Sequence, residues 1–156
     1  MIDWKASFQL LYFGFIKTPM IFFARPRVVT LTDHRCEIKI RLRRRTRNHL
    51  NSMYFASLLL GADVAGGLLA MKLIRESRQP INLVFKDVQA DFLKRVDADA
   101  FFTCADGQSI KHLVEQVVET GERQHLPLNI SVTAPDKYGD EELARITLTL
   151  SLKLKY

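Results

Sequence analysis

The sequence predicts an α+β protein in which a curved antiparallel sheet of about five or six strands wraps one long central helix. Three observations carry this expectation. A run of good helix formers from Ser52 to Glu76 is apolar almost throughout and contains no proline. Several other stretches alternate apolar and polar residues, the pattern of strands with one dry and one wet face. A sheet of that kind needs a large apolar cover, and only the Ser52–Glu76 run is long enough, roughly 36 Å at about 1.5 Å per residue. The chain has 156 residues, and single cores are commonly built from about 100–200, so one domain over 1–156 is expected.

The elements follow in order. Trp4, Phe8, Leu11, Tyr12 and Phe15 recur at helical spacing, which predicts an N-terminal helix over about 3–18, ended by Pro19 and docked on the domain. Asp3 beside Lys5, with no small-residue cleavage site after them, speaks against a signal peptide. Residues 27–47 read as two strands joined by the turn-forming LTDHR, with Cys36, Ile38, Ile40 and Leu42 on a core face. Ser52 is the expected cap of the long helix, which stops at RESRQP. Residues 81–89 and 91–104 read as further strands. After DGQS, Ile110, Leu113, Val114, Val117 and Val118 share one face of a short helix closed by Gly121. Two long strands complete the chain, Leu126–Val132 and Ile146–Leu154, joined by PDKYGDEE as a hairpin loop. A sheet wrapped around one helix is the hotdog architecture; a generic α+β sandwich fits the same pattern.

Composition narrows the function classes. A 47% hydrophobic and 26% charged chain is ordinary for a globular protein, and a mean hydropathy of −0.03 argues against a multispan membrane protein. The net charge of +6 points to an anionic partner, and much of the excess lies in Arg41, Arg43, Arg44, Arg45 and Arg47. Aromatics are not interleaved with these arginines, so nucleic acid ranks last among such partners. An aromatic N-terminal helix suits contact with a membrane surface, which ranks below docking on the domain. Cys36 and Cys104 form no CxxC, and read as reduced thiols of a cytoplasmic protein. The four histidines show no metal-binding spacing, so no metal is expected.

Asp63 stands alone within the apolar run. As a membrane span the segment would place an aspartate at mid-bilayer, at a cost of roughly 2.5–3.5 kcal/mol, and would strip the sheet of its cover. On a core helix the carboxylate must be paired, neutralised or facing a cavity. Desolvation would raise its pKa toward general-base work. The structural alternative is an aspartate held by Arg43, Arg47 or neighbouring hydroxyls.

The spacing Asn48–x–x–Asn51–x–x–Tyr54–Phe55–Ala56, with Asp63 nine residues after Tyr54, resembles the phenylacetic-acid-pathway thioesterases of the hotdog superfamily. Their signature is N-x-x-G-x-x-H-G-G, followed by an acid nine positions after the histidine. The wider stretch RTRNHLNSMYFASLLLGADVAGG is more similar still to the thioesterase-like DUF4442 family. Relative to the better-known signature, Asn51 stands at the loop glycine, Tyr54 at the histidine and Phe55–Ala56 at the glycine pair. The resemblance implies an acyl-CoA or acyl-carrier thioesterase, a homodimer or a dimer of such dimers, with coenzyme A entering only as part of the substrate. In it Asp63 activates water or attacks directly, Asn48 orients the carbonyl or the water, and Tyr54 donates a hydrogen bond. Substrate is received by the helix start at Tyr54, Phe55 and Ala56, by the loop at Asn51 and Ser52, and by Arg45 and Arg47 at the phosphates. A non-catalytic acyl- or lipid-binding hotdog protein is the alternative.

Overall fold

The computed structural model describes residues 1–155; Tyr156, the last residue of the expected 1–156 domain, lies outside them. Six strands form one antiparallel sheet: β1 (Arg27–Leu31), β2 (Cys36–Ile40), β3 (Ile81–Phe92), β4 (Ala100–Cys104), β5 (Gln124–Thr133) and β6 (Glu142–Leu154). Their order across the sheet is β1-β2-β4-β5-β6-β3. The alternation expected from sequence is realised in β5 and β6, where Leu128, Ile130, Val132, Ile146, Leu148 and Leu150 are buried. β4 is shorter than expected. Residues 93–99 leave the sheet, and Asp99 instead accepts a hydrogen bond from the Leu42 N–H at 2.9 Å.

The long helix α3 (Phe55–Ser77) lies against β2, β3, β4, β5 and β6, so the sheet curves around it as the hotdog architecture requires. Its small residues are the reason the sheet can come so close. A Cβ on Gly61 would sit 2.4 Å from the Phe102 ring, and one on Gly66 would meet Leu128 Cδ1 at 3.1 Å. Glycine inside a helix costs about 1 kcal/mol relative to alanine, and here the vacated space is filled by β4 and β5 side chains. Although α3 is long and apolar enough to cross a membrane, Leu58, Ala62, Ala65, Leu69 and Ala70 are in the core.

The start of α3 differs from expectation. Ser52 does not cap it; Tyr54 occupies the cap position in extended geometry without a side-chain cap bond. Helix α4 (Gly107–Thr120) packs on α3, β5 and β6 through Ile110, Leu113, Val114 and Val117. Val118, one step of about 100° off that face, is partly exposed. Gly121 closes α4 at a φ of 68°. The β5–β6 connection contains one helical turn, α5 (Pro135–Tyr138). Cys36 and Cys104 are register partners on β2 and β4. Both thiols are free, and burial pushes them up to about 12 and about 11.

The N-terminal segment forms α1 (Trp4–Lys17) and α2 (Pro19–Ala24). The side of α1 facing the domain is not the aromatic one. Ser7, Leu10 and Gly14 are buried instead. Ser7 Oγ accepts from the Val28 N–H at 2.8 Å and donates to the Asp3 carbonyl at 2.6 Å, tying α1 to β1. At Gly14 a Cβ would stand 2.7 Å from the Phe22 nitrogen, so the chain of α2 crosses there. Those close approaches demand small residues, and they turn Trp4, Phe8, Tyr12 and Phe15 outward, 61–72% exposed.

Candidate active site

The loop before α3 is built by its own side chains. Thr46, buried, donates to the Arg41 carbonyl at 2.6 Å and accepts from the Arg43 N–H at 2.9 Å. Asn48 Oδ1 accepts from the N–H groups of Leu50 (2.9 Å) and Ser52 (3.1 Å). That carbonyl oxygen is therefore committed to the turn, and what Asn48 still offers is its amide N–H₂ group. Asn51 takes a φ of 58°, a left-handed conformation that glycine and asparagine adopt most readily; this is why asparagine can replace a loop glycine there. The backbone then leads into α3 through bonds from Met53 N–H to the Val96 carbonyl (2.6 Å) and from Tyr54 N–H to the Thr46 carbonyl (2.8 Å).

At the start of α3 the Tyr54 carbonyl accepts from Ser57 (2.8 Å) and Leu58 (3.2 Å). The N–H groups of Phe55 and Ala56 have no acceptor among the described residues, as first-turn amides of an uncapped helix. Ser52 Oγ is buried nearby in sequence with no hydrogen-bond partner. The Tyr54 and Phe55 rings are half-exposed, and Phe55 stacks edge-on with Phe92 at 6.5 Å. Arg45 and Arg47 are exposed, and none of the arginines from 41 to 47 forms an ion pair with a described acid. Burial, then the charges of Arg25 and Arg43, hold the Arg45 guanidinium below its ordinary value.

Asp63 lies two turns further along α3. Its side chain is open to solvent rather than enclosed in the core. No hydrogen bond or ion pair links it to another described residue, which removes the expectation that Arg43, Arg47 or a hydroxyl holds it. The surrounding protein nevertheless crowds the carboxylate, and desolvation raises its pKa above the usual carboxylate value. Asp63 borders a cavity of about 520 Å³ walled by Leu10 and Phe13 of α1, Ile21 of α2, Val64 and Leu68 of α3, and Phe85 of β3. A second cleft of about 450 Å³ runs from Asp63 past Leu59, Leu60 and Val88. It meets a bulge in β3, where Lys86 and Asp87 intervene between the pairs Phe85↔Leu150 and Val88↔Leu148.

The structure thus gathers Asn48, Asn51, Ser52, Tyr54, Phe55 and Ala56, with Arg45 and Arg47, around the start of α3. It does not bring Asp63 to them: eight residues of one rigid helix separate Asp63 from Phe55, about 12 Å. The walls supplied by Leu10, Phe13, Ile21 and Phe85 were missed in the sequence, since they reach the site from distant segments with no motif of their own. No group of three metal-ligating side chains converges among the described residues.

Comparison with known proteins places this geometry in context. The family model described as a domain of unknown function, DUF4442, matches residues 8–152. No curated protein matches the chain. Among solved structures, a protein of unknown function from Chlorobaculum tepidum superposes with a TM-score of 0.81 at 13% identity, covering 97% of this chain and 96% of that one. A mutant thioesterase from Pseudomonas aeruginosa gives 0.71 at 13% identity, covering 96% and 94%. A thioesterase from Haemophilus influenzae gives 0.66 at 13% identity, covering 86% and 82%. The fold shared with these structures is the hotdog fold, and the family match spans nearly the whole sequence: the chain belongs to the DUF4442 family.

Proposed function

We propose that this protein hydrolyses a thioester, with an acyl-CoA or acyl-carrier thioester as substrate, in a homodimeric site that uses Asp63 as its base. The observation that carries the reading is an unpaired carboxylate, raised in pKa, between two clefts in the apolar stretch of α3 that precedes Lys72. Such a group has no structural partner to satisfy, and a raised pKa is what general-base work at neutral pH calls for.

Asp63 takes a proton from water, and the hydroxide oxygen bonds to the thioester carbonyl carbon. The carbonyl oxygen, now an oxyanion, is received by the free N–H groups of Phe55 and Ala56 and by the positive end of the α3 dipole. The tetrahedral species then expels the thiolate, which regains a proton, and leaves the carboxylic acid. Direct attack by Asp63, giving a mixed anhydride that water then cleaves, is the variant of the same chemistry. Tyr54 and the Asn48 amide would act as the donors that orient the acyl group. Arg45 and Arg47, exposed and without ion pairs, suit coenzyme A phosphates.

A base about 12 Å from the oxyanion donors cannot serve one carbonyl within one protomer. Two antiparallel α3 helices across a two-fold axis would set Asp63 of one protomer beside the helix start of the other. β3 is one of the two edge strands of the sheet, β1 being the other, and Val84, Val88 and Phe92 on it are about half-exposed. An edge strand of this length is a template on which a second copy would pair. A pairing of two such dimers is compatible with the same contact. Buried free thiols and a coenzyme A substrate fit a cytoplasmic location.

The test is a thiol-release screen over short, medium, long and aromatic acyl-CoA substrates, with Asp63→Asn alongside. Turnover of at least one substrate, abolished in the variant, supports the reading; equal rates would make Asp63 structural. A co-purified acyl species with no turnover across the panel would favour the acyl-binding alternative.

A further inference from the structure

We propose that the outward face of α1 and α2, with the arginine cluster beside it, docks on an anionic lipid bilayer. Trp4, Phe8, Tyr12, Phe15 and Phe23 are each about 60–70% exposed on two adjoining helices. A contiguous exposed apolar patch of that kind marks an interaction surface. Its electrostatics select the occupant. From Trp4 to Thr32 there is no acidic residue, while Lys5, Lys17, Arg25 and Arg27 are all basic. Arg27 stacks over the Trp4 ring at 5.1 Å and Arg25 over Phe22 at 5.9 Å, so charge and aromatic surface are joined at one place. Arg25 also lies within electrostatic reach of Arg45, which feels Arg43 as well, so the unpaired 41–47 run continues the positive rim.

A tryptophan-bearing apolar face rimmed by lysine and arginine is the chemistry that seats a helix at the headgroup boundary of an anionic bilayer. A second copy of the chain would oppose this rim with its own positive charge, which disfavours self-association through it. The inner faces of the same helices wall the cavity beside Asp63 through Leu10, Phe13 and Ile21. The docking holds equally for a protein that binds acyl groups without turnover.

The sole tryptophan, Trp4, reports on this face directly. Full-length protein is mixed with phosphatidylcholine vesicles, with and without phosphatidylglycerol, and both Trp4 emission and co-flotation are recorded. We expect a blue shift and flotation with the anionic vesicles at low ionic strength, both lost near ~0.5 M salt. The pair Phe8→Ser and Tyr12→Ser should weaken partitioning at least tenfold, and Lys5→Glu with Arg44→Glu about tenfold on anionic vesicles. Neither pair touches buried groups, so melting temperatures should stay near wild type. Unchanged emission and no flotation at low salt would overturn the proposal. So would a vesicle-independent blue shift that grows with protein concentration, assigning the face to a second copy, or partitioning unaffected by Phe8→Ser and Tyr12→Ser. Salt-sensitive capture by an acidic acyl-carrier protein without vesicle binding would also overturn it.

Discussion

Helices α3 and α1 are both apolar enough to be core elements, yet they are used in opposite ways. α3 buries Gly61, Ala62, Ala65 and Gly66 against the sheet and turns one carboxylate toward the clefts. α1 buries only Ser7, Leu10 and Gly14 and turns its large aromatics to the outside. In both, small residues mark the side where another chain segment comes close, because only they permit the approach. The difference lies in what the remaining sides carry. On α1 large rings are left outside the fold, and on α3 an acid is left beside a cavity.

Changes to the two helices should therefore diverge. The largest effect is expected at Asp63. Asp63→Asn should lower the rate of thiol release by ~10³-fold, within the range for loss of a general base, while circular dichroism shows the fold intact. In wild type the rate should rise with pH through a pKa above that of an ordinary carboxylate, since the ionised form is the active one. Stability should move the other way. A raised pKa means that Asp63 favours the folded state only when protonated, and this contribution is lost as pH rises through the raised value. Asp63→Asn should then melt higher than wild type at pH 7, and the gap should narrow on acidification below the ordinary carboxylate range. An Asn variant less stable at pH 7 would mean that the acid has a structural partner after all.

Packing comes next. Gly61→Ala places a methyl on the Phe102 ring and should cost about 1–3 kcal/mol in denaturant unfolding. Asn51→Ala, forced into a left-handed turn, should cost about 1–2 kcal/mol, while Asn51→Gly should be tolerated. On α1, Phe8→Ser should change stability by no more than about 0.5 kcal/mol. A large loss there would show that the aromatic face packs on the fold and would erase the contrast with α3.

Much of this was legible in the sequence. The alternation in β5 and β6 and the single long apolar run were enough for a sheet around a helix, and the spacing from Asn48 to Ala56 marked residues that gather at the start of α3, whereas Asp63 lies about 12 Å along the helix. The direction of α1 was not, because periodicity reports which residues share a side and not which side is buried. Ser7 and Gly14 decide that through contacts with Val28 and Phe22, from separate segments. Ser52 has the residue type of a cap, but the turn built by Asn48 and Asn51 carries the chain past it before the helix begins. Alternation through residues 93–99 imitated a strand until Asp99 was drawn to the Leu42 amide. The cavity walls were equally invisible, since four elements have to assemble before Asp63 has anything around it.

The central claim is a site completed across two protomers, with Asp63 from one and the α3 start and Asn48 from the other. Mixing inactive Asp63→Asn chains with inactive Asn48→Ala chains tests it directly, by thiol release from the best acyl-CoA substrate of the screen. Random reassortment into dimers leaves one intact site in each mixed dimer, so the account predicts recovery to about a quarter of wild-type activity. No recovery, with mixed dimers demonstrated by native mass spectrometry, would contradict it.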